Sequence, residues 1–220
     1  MTEHTRLVLI RHGHPEAYNL KIIPGMKGDT GLSEVGKAQV AALAARLDRT
    51  GEFGEEPVLV SSVLPRAVET AAAIAPVFDH PEWDQHCDLC EVHPGDDIDG
   101  MTFDEYRERY GRDGAKLSVY EAWSPGSESW AEFVARTGRR LHQLIDEHAG
   151  RTVIIACHGG IIDAAFRVLG HIPLGRRMSG QPAYTSITEW VHAVGSPDDD
   201  WRLERYNDHS HLEGVDGPTA

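Results

Sequence analysis

The stretch Leu7-Val-Leu-Ile-Arg-His-Gly13, LVLIRHG, joins a short apolar run directly to a cation and an imidazole. Its apolar residues are mostly branched and too few for a helix, so the segment 6–10 is predicted to be a buried β-strand. The strand gives way abruptly to Arg11, His12 and Gly13. A cation and an imidazole at the end of a buried strand predict a functional site at that edge of the sheet.

The same pattern returns in the last third of the chain, where the predicted strand 152–157, TVIIAC, is followed by His158, Gly159 and Gly160. Further strands are predicted at 57–61 and as a hairpin at 185–194 and 201–206, with its turn at 196–200. Helices are predicted at 33–48, 64–75, 128–148 and from 159 through 169. This alternation predicts an α/β fold, a three-layer sandwich with a mostly parallel central sheet, an antiparallel edge and helices on both faces.

The amino-acid composition argues against some classes of binding partner. The chain has 220 residues and a formal net charge of −14, from 21 Lys and Arg against 35 Asp and Glu. No basic surplus is available to meet nucleic-acid phosphates or an anionic membrane, so neither is expected as a partner. We expect a soluble, cytoplasmic protein, because the N-terminal apolar run is too short for a signal peptide or a membrane span. The sequence leaves the oligomeric state open.

Parallel strands collect ligands just beyond their carboxyl ends, so His12 and His158 are expected at one edge of the sheet. Glycines beside them let the backbone turn and let a ligand approach closely. Arg66 begins a predicted helix directly after the strand 57–61, where free N–H groups already favour an anion. Together Arg11, His12, Arg66 and His158 predict a compact cationic cup for one phosphoryl group.

These motifs resemble the histidine phosphatase superfamily, the phosphoglycerate-mutase-like family, and its small-phosphatase branch in particular. The resemblance rests on Arg11-His-Gly13, Arg66-Ala-Val-Glu-Thr-Ala71 and His158-Gly-Gly160 in this order, each after a strand. It extends over nearly the whole chain through three further stretches: Gly28–Gly36, Pro125–Glu128 and Asn207–Leu212.

The resemblance implies a phosphomonoesterase that hydrolyses a small phosphorylated metabolite. His12 would be the nucleophile and would form a phosphohistidine. Arg11, Arg66 and His158 would hold the phosphoryl oxygens, with Asn19 and Gly159 also binding phosphate. No metal or cofactor is required by this scheme. Residues 1–213 would form a single domain with a cap inserted at about 92–126, and 214–220 would be a disordered tail.

The resemblance also implies Glu91 as the residue that protonates the leaving group. The match is imperfect here, because the loop after Glu91 runs Val-His-Pro-Gly-Asp-Asp-Ile-Asp-Gly100 instead of the short loop ending Trp-Glu-Gly that is common in such phosphatases. Asp96 or Asp97 is therefore an alternative proton donor. Asn19 also lies one residue later than usual.

The segment His86-Cys-Asp-Leu-Cys-Glu-Val-His93 has two cysteines and two histidines. Structural zinc sites normally draw their ligand pairs from separated elements, so we expect no metal here and interpret Cys87 and Cys90 as small apolar fillers. Cys157 is interpreted as a core residue.

Two other functions fit the same motifs. A phosphoglycerate-mutase-type enzyme uses the same nucleophile but returns the phosphoryl group to a second hydroxyl. A non-catalytic binding protein on this fold is less favoured, because both histidines and both arginines are present.

Overall fold

The computed structural model describes residues 4–80, 82–111, 117–175, 181–194 and 201–220. The strands are β1 (His4–Arg11), β2 (Val58–Ser62), β3 (Asp84–His86), β4 (Thr152–Cys157), β5 (Ile187–Ala193) and β6 (Arg202–Asp208). The helices are α1 (Glu16–Asn19), α2 (Glu34–Thr50), α3 (Pro65–Ile74), α4 (Phe103–Tyr110), α5 (Trp130–Glu147) and α6 (Gly159–Val168). Short 3₁₀ helices lie at Ala75–Phe78, Cys87–Leu89 and Ser210–Leu212.

The described strands form one mixed sheet in the order β3-β2-β4-β1-β5-β6. The pairs β3–β2, β2–β4 and β4–β1 are parallel. The hairpin strands β5 and β6 continue the sheet in antiparallel pairing beyond β1. The predicted α/β architecture with an antiparallel edge is confirmed.

The central strand β1 is covered on both faces, because successive side chains of a strand point to opposite sides. Residues Leu7, Val8, Leu9 and Ile10 are all 0% exposed. Leu7 and Leu9 belong to a cluster that includes Phe133 and Leu141 of α5 and Ile161 of α6. Val8 and Ile10 belong to a second cluster that includes Leu43 of α2 and Ile74 of α3. Each such buried side chain contributes about 1.5–3 kcal/mol, so the continuous apolar run stabilises the middle layer of a three-layer sandwich.

Two helix starts follow from the sequence. Ser33 caps α2 as predicted, since its side chain accepts a hydrogen bond from the backbone N–H of Gly36. Helix α5 begins two residues later than the predicted 128, because Ser129 and Glu132 form a capping box that fixes its first turn.

The region 84–130 contains β3 and α4, neither of which was among the predicted elements. Strand β3 has three residues and no apolar run, and it forms because it pairs with β2. Helix α4 buries no residue and is started by a capping box of Thr102 and Glu105. Neither element has the apolar periodicity that sequence patterns detect.

The C-terminal segment 214–220 differs from the predicted disordered tail. The backbone N–H of Tyr184 donates to the carbonyl of Thr219 at 2.7 Å, and the Gln39 side chain donates to the carbonyl of Pro218 at 2.8 Å. These bonds hold the segment against the domain. The hairpin turn predicted at 196–200 lies outside the described residues. In the described parts of the chain, no helix combines the length and apolar character needed to cross a membrane.

Candidate active site

The two histidine-bearing strand ends meet at one edge of the sheet. β1 and β4 are parallel and in register, with Arg11 opposite Cys157, and the backbone N–H of His12 donates to the carbonyl of Cys157 at 2.9 Å. The imidazole centroids of His12 and His158 are consequently 5.2 Å apart. His158 is the N-cap residue of α6.

A pocket of about 180 Å³ opens at this edge. It is lined by Arg11, His12, Tyr18, Ile23, Pro24, Arg66, Glu91, Val92, Pro94, Phe103, Tyr106, Trp123, Gly159 and Gln181. The predicted residues Arg11, His12, Arg66, Glu91 and Gly159 therefore share one pocket, and the ring of His158 lies beside that of His12.

His12 is 4% exposed, and its Nδ1 lies 2.7 Å from the carbonyl oxygen of Gly13. A carbonyl oxygen only accepts, so Nδ1 carries the hydrogen and the lone pair is on Nε2. The pKa of His12 is well below its ordinary value, first because of burial and then because Arg66, His158 and Arg11 add positive charge. The ring is thus neutral near pH 7, which is the state that a nucleophilic imidazole needs.

Arg11 is held by groups from the segment before β5. Its guanidinium donates to the carbonyl of Pro182 and, at 2.9 Å, to the side-chain oxygen of Gln181. Its Cζ lies 4.1 Å from the ring centroid of Tyr184, within the range of a cation–π contact. Arg11 is 2% exposed. Its guanidinium is therefore buried at the end of β1 and is held in position by these contacts.

Arg66 lies in the first turn of α3 and is held by a carboxylate that the sequence did not single out. Its Nη1 donates to Asp29 Oδ2 at 2.7 Å and to the carbonyl of Pro24 at 3.0 Å. The two charged side chains are 3% and 0% exposed. A buried charge needs a partner, and Asp29 is that partner for Arg66.

Glu91 lies in the pocket wall with both oxygens bound by backbone N–H groups. Oε2 accepts from Gly160 at 2.9 Å, and Oε1 accepts from Val92 at 3.0 Å. The alternative donors Asp96 and Asp97 are exposed and do not line this pocket. The Asp96 side chain is 93% exposed and pairs with Lys27 at 3.1 Å. The geometry therefore favours Glu91 over Asp96 and Asp97 as the proton donor.

Asn19 is the predicted site residue that the structure does not bring to the pocket. It is exposed at the end of α1, and its amide donates to Glu16 Oε2 at 2.8 Å. The pocket wall near Arg11 instead contains Gln181. The physical reason is local: Asn19 ends the single turn of α1 and pairs with a residue three positions earlier in that turn.

The outer wall of the pocket is aromatic. Tyr18 of α1 meets Phe103 of α4 with ring centroids 6.2 Å apart. Tyr106, also of α4, donates from its hydroxyl to the carbonyl of Trp123 at 3.4 Å. Phe103, Tyr106 and Trp123 all come from the segment 92–126.

Comparison with known proteins agrees with this geometry. Residues 7–209 match the family model of the histidine phosphatase superfamily, branch 1. The chain belongs to this superfamily.

Among its relatives is the metal-independent phosphoserine phosphatase of Arabidopsis thaliana, which is 30% identical over 97% of this chain and 86% of that protein. The solved structure of a mycobacterial glucosyl-3-phosphoglycerate phosphatase superposes with a TM-score of 0.75 at 28% identity, covering 93% of this chain and 99% of that one. A 2,3-bisphosphoglycerate-dependent phosphoglycerate mutase from Methylobacterium sp. is 34% identical over 74% of this chain and 79% of its own length. The family thus includes both phosphatases and mutases, as the sequence motifs imply.

The superfamily's R-x-x-E-T motif has a structural explanation in this chain. Arg66 faces the pocket, whereas Glu69 accepts a hydrogen bond from the backbone N–H of Leu32 at 2.9 Å. Thr70 accepts one from the backbone N–H of Gly13 at 3.1 Å. Helix α3 therefore places the charge of Arg66 in the pocket. Through Glu69 and Thr70 it also holds two loops of the phosphatase site, one of which contains Gly13, next to His12.

Sequence reasoning missed Asp29, Gln181 and Tyr184. Asp29 lay within the quoted stretch Gly28–Gly36, so a search for the counter-ion of Arg66 could have found it. Gln181 and Tyr184 have no sequence signal, because they reach Arg11 only through the antiparallel pairing of β5 with β1.

Proposed function

We propose that this chain hydrolyses phosphate monoesters of small metabolites through a covalent phosphohistidine on His12, with Glu91 as the proton donor. The observation that carries the proposal is the His12 ring itself. It is neutral, its Nδ1 is held by the Gly13 carbonyl, and two buried guanidinium groups belong to the same pocket. This arrangement leaves Nε2 as the attacking atom.

In the first step, Nε2 of His12 attacks phosphorus as the bond from phosphorus to the ester oxygen breaks. Arg11, Arg66 and His158 stabilise the charge on the phosphoryl oxygens, and this positioning is most of phosphoryl-transfer catalysis. Glu91 gives its proton to the departing alkoxide, which leaves as the alcohol.

In the second step, the Glu91 carboxylate takes a proton from a water molecule whose oxygen attacks phosphorus. The bond from nitrogen to phosphorus breaks, the electron pair returns to Nε2, and inorganic phosphate leaves. Both steps use only protons and side chains of the pocket, so no metal ion is needed for the chemistry.

The residues that line the outer wall of the pocket favour phosphatase over mutase activity. They also indicate which kind of alcohol is released. Among the described lining residues, Arg11 and Arg66 are the sole cations, and both belong to the phosphate end of the pocket. A phosphoglycerate-type mutase must hold a second anionic group, for which the lining residues that the structure describes provide no further cation. Tyr18, Phe103, Tyr106 and Trp123 instead suit an uncharged leaving group with an apolar or ring face.

We propose that the segment 92–126 acts as the cap that selects this leaving group, within a single domain. A small phosphorylated molecule, rather than nucleic acid, fits a pocket of about 180 Å³ on a chain with a net charge of −14.

The proposal is tested by phosphate release from a panel of monoesters in the presence of EDTA. The panel contains p-nitrophenyl phosphate, sugar phosphates, phosphoserine and 3-phosphoglycerate, with His12→Ala measured in parallel. We expect release that persists in EDTA, disappears in His12→Ala, and is fastest for uncharged leaving groups. Absence of release combined with phosphoryl transfer between phosphoglycerates would favour the mutase, and absence of both would favour the binding protein.

A further inference from the structure

A second cluster of chemically capable side chains lies beside the loop that carries Glu91. The segment Cys87-Asp-Leu-Cys-Glu-Val-His93 contains a 3₁₀ helix over Cys87–Leu89, with Cys90 as the residue that follows it. The two sulfurs are 3.7 Å apart, and Cys87 Sγ lies 3.6 Å from His93 Nε2. All three donor atoms lie within 4.8 Å of one another.

These distances match the edges of a zinc coordination tetrahedron. Zn–S bonds of about 2.3 Å and Zn–N bonds of about 2.0–2.1 Å place two sulfurs about 3.8 Å apart, and a sulfur and a nitrogen about 3.6 Å apart. Two cysteines and one histidine also form a donor set that selects Zn²⁺ over Mg²⁺ or Ca²⁺. We propose that Cys87, Cys90 and His93 bind one Zn²⁺ ion, with water or another ligand in the fourth position.

The surroundings of His93 fit a metal ligand. Its Nε2 faces Cys87, while its other ring nitrogen lies 3.8 Å from Glu128 Oε2. The carboxylate of Glu128 also accepts the backbone N–H of His93 at 3.0 Å. A carboxylate beside the non-ligating nitrogen is the usual device that fixes the orientation of a zinc-bound imidazole.

The loop is held in shape by groups that are not ligands. Arg136 of α5 donates to the backbone carbonyls of Cys87, Asp88 and Cys90 and forms a salt bridge with Glu128 at 2.7 Å. The hydroxyl of Ser62, at the end of β2, donates to Cys90 Sγ at 3.3 Å. These bonds preorganise the donor atoms before an ion arrives, which favours binding.

The site is open to an entering ion. Cys90 is buried, but Cys87 is exposed and the His93 side chain is 41% exposed. The exposure of Cys87 also contradicts its interpretation as an apolar filler; Cys90 is buried as a filler would be, but its sulfur lies among the proposed donor atoms. Structural zinc sites normally take their ligands from separated elements, whereas here one short segment supplies three donor atoms.

The ion would stabilise the loop on which the proposed proton donor stands. Glu91 lies between the two ligands Cys90 and His93, and it lines both the active-site pocket and the neighbouring cavity that contains the cluster. The zinc site is structural and takes no part in the phosphoryl chemistry, so it is compatible with catalysis that needs no metal.

The test is a titration of the full, reduced, chelator-treated chain with Co²⁺ as an optical probe, followed by Zn²⁺. We expect one Co²⁺ per chain, with thiolate-to-cobalt charge-transfer absorption and the d–d bands of a tetrahedral site, and displacement by equimolar Zn²⁺. Cys87→Ser and His93→Gln should each lose this absorption. His86→Gln, a nearby histidine outside the cluster, should retain it. Equimolar Zn²⁺ should raise the melting temperature of the wild type and of His86→Gln, and leave that of Cys87→Ser unchanged.

Two results would overturn the site: a wild-type chain that binds no stoichiometric ion under reducing conditions, or binding that survives unchanged in Cys87→Ser. Because Cys87 is exposed, its serine variant should fold, and circular dichroism checks this. The readouts are absorption and thermal stability, so they are independent of whether the chain hydrolyses any ester.

Discussion

Glu91 accepts a hydrogen bond of 2.9 Å from the backbone N–H of Gly160, in the first turn of the helix that follows His158. The proposed proton donor is therefore anchored to the same strand-to-helix turn that holds one of the phosphate-binding imidazoles. The other oxygen of Glu91 accepts from Val92 at 3.0 Å, so the carboxylate is fixed at both ends. Proton transfer depends on such fixed positions within hydrogen-bond reach.

If Glu91 protonates the leaving group, its removal should slow formation of the phosphoenzyme only where the leaving group needs a proton. We expect Glu91→Gln to lower kcat/KM, which reports this first step, for alkyl phosphates by about 10²–10⁴-fold, and for p-nitrophenyl phosphate by less than about tenfold. The p-nitrophenolate ion is stable without protonation near neutral pH. Asp96→Asn is the matched control, because Asp96 is exposed and paired with Lys27, and it should leave both rates unchanged. Equal losses of kcat/KM for both esters in Glu91→Gln would remove it from the role of proton donor.

Gly160 is predicted to be intolerant of a side chain because of the same contact. A Cβ at this position would lie 2.1 Å from Glu91 Oε1, so the carboxylate would have to move. We expect Gly160→Ala to reduce alkyl phosphate hydrolysis by about a hundredfold, as misplacement of a catalytic group by about 1 Å does. Gly175→Ala is the control. A Cβ at Gly175 would have its nearest neighbouring atom 3.8 Å away, so this variant should hydrolyse alkyl phosphates at the wild-type rate. Wild-type rates in Gly160→Ala would show that the Glu91 position is not critical.

Asp29 is predicted to position Arg66. Asp29→Asn removes the charge that holds the guanidinium at 2.7 Å while preserving the shape of the side chain. We expect kcat/KM to fall by about tenfold to a hundredfold for every ester, because the phosphate end of the pocket is common to all. Steady-state kinetics with two unrelated esters measures this. A loss restricted to one ester would mean that Asp29 contacts the leaving group instead.

The protonation of His12 gives a pH prediction. Its pKa is lowered, so the neutral nucleophile persists below pH 6.5, and the acidic limb of kcat/KM due to His12 should fall below that pH. Arg66→Gln removes the second largest cause of the lowering, so the pKa of His12 should rise and remain below the ordinary value because burial persists. NMR titration of the His12 ring in both proteins measures the shift. A wild-type pKa at or above 6.5 would contradict the assignment of a neutral, buried ring.

The central strands and the cationic cup could be predicted from sequence because both depend on local pattern. A continuous apolar run predicts a buried strand, and Arg11, His12 and His158 lie at strand ends, so their meeting follows from parallel pairing alone. The place of Asn19 could not be predicted, since it depends on how one turn of helix pairs with Glu16. The place of Gln181 could not be predicted either. It depends on the path of the chain into the antiparallel edge of the sheet, and no sequence periodicity specifies that path.

The most direct test of the account is to trap the phosphoenzyme. Wild type, His12→Ala and Glu91→Gln are mixed with p-nitrophenyl phosphate, quenched in base because phosphohistidine is acid-labile, and analysed by peptide mass spectrometry. We expect one phosphoryl group on the peptide containing His12, at higher occupancy in Glu91→Gln because hydrolysis of the intermediate is slowed, and none in His12→Ala. A phosphoryl group on any other residue, or steady phosphate release by His12→Ala, would contradict it.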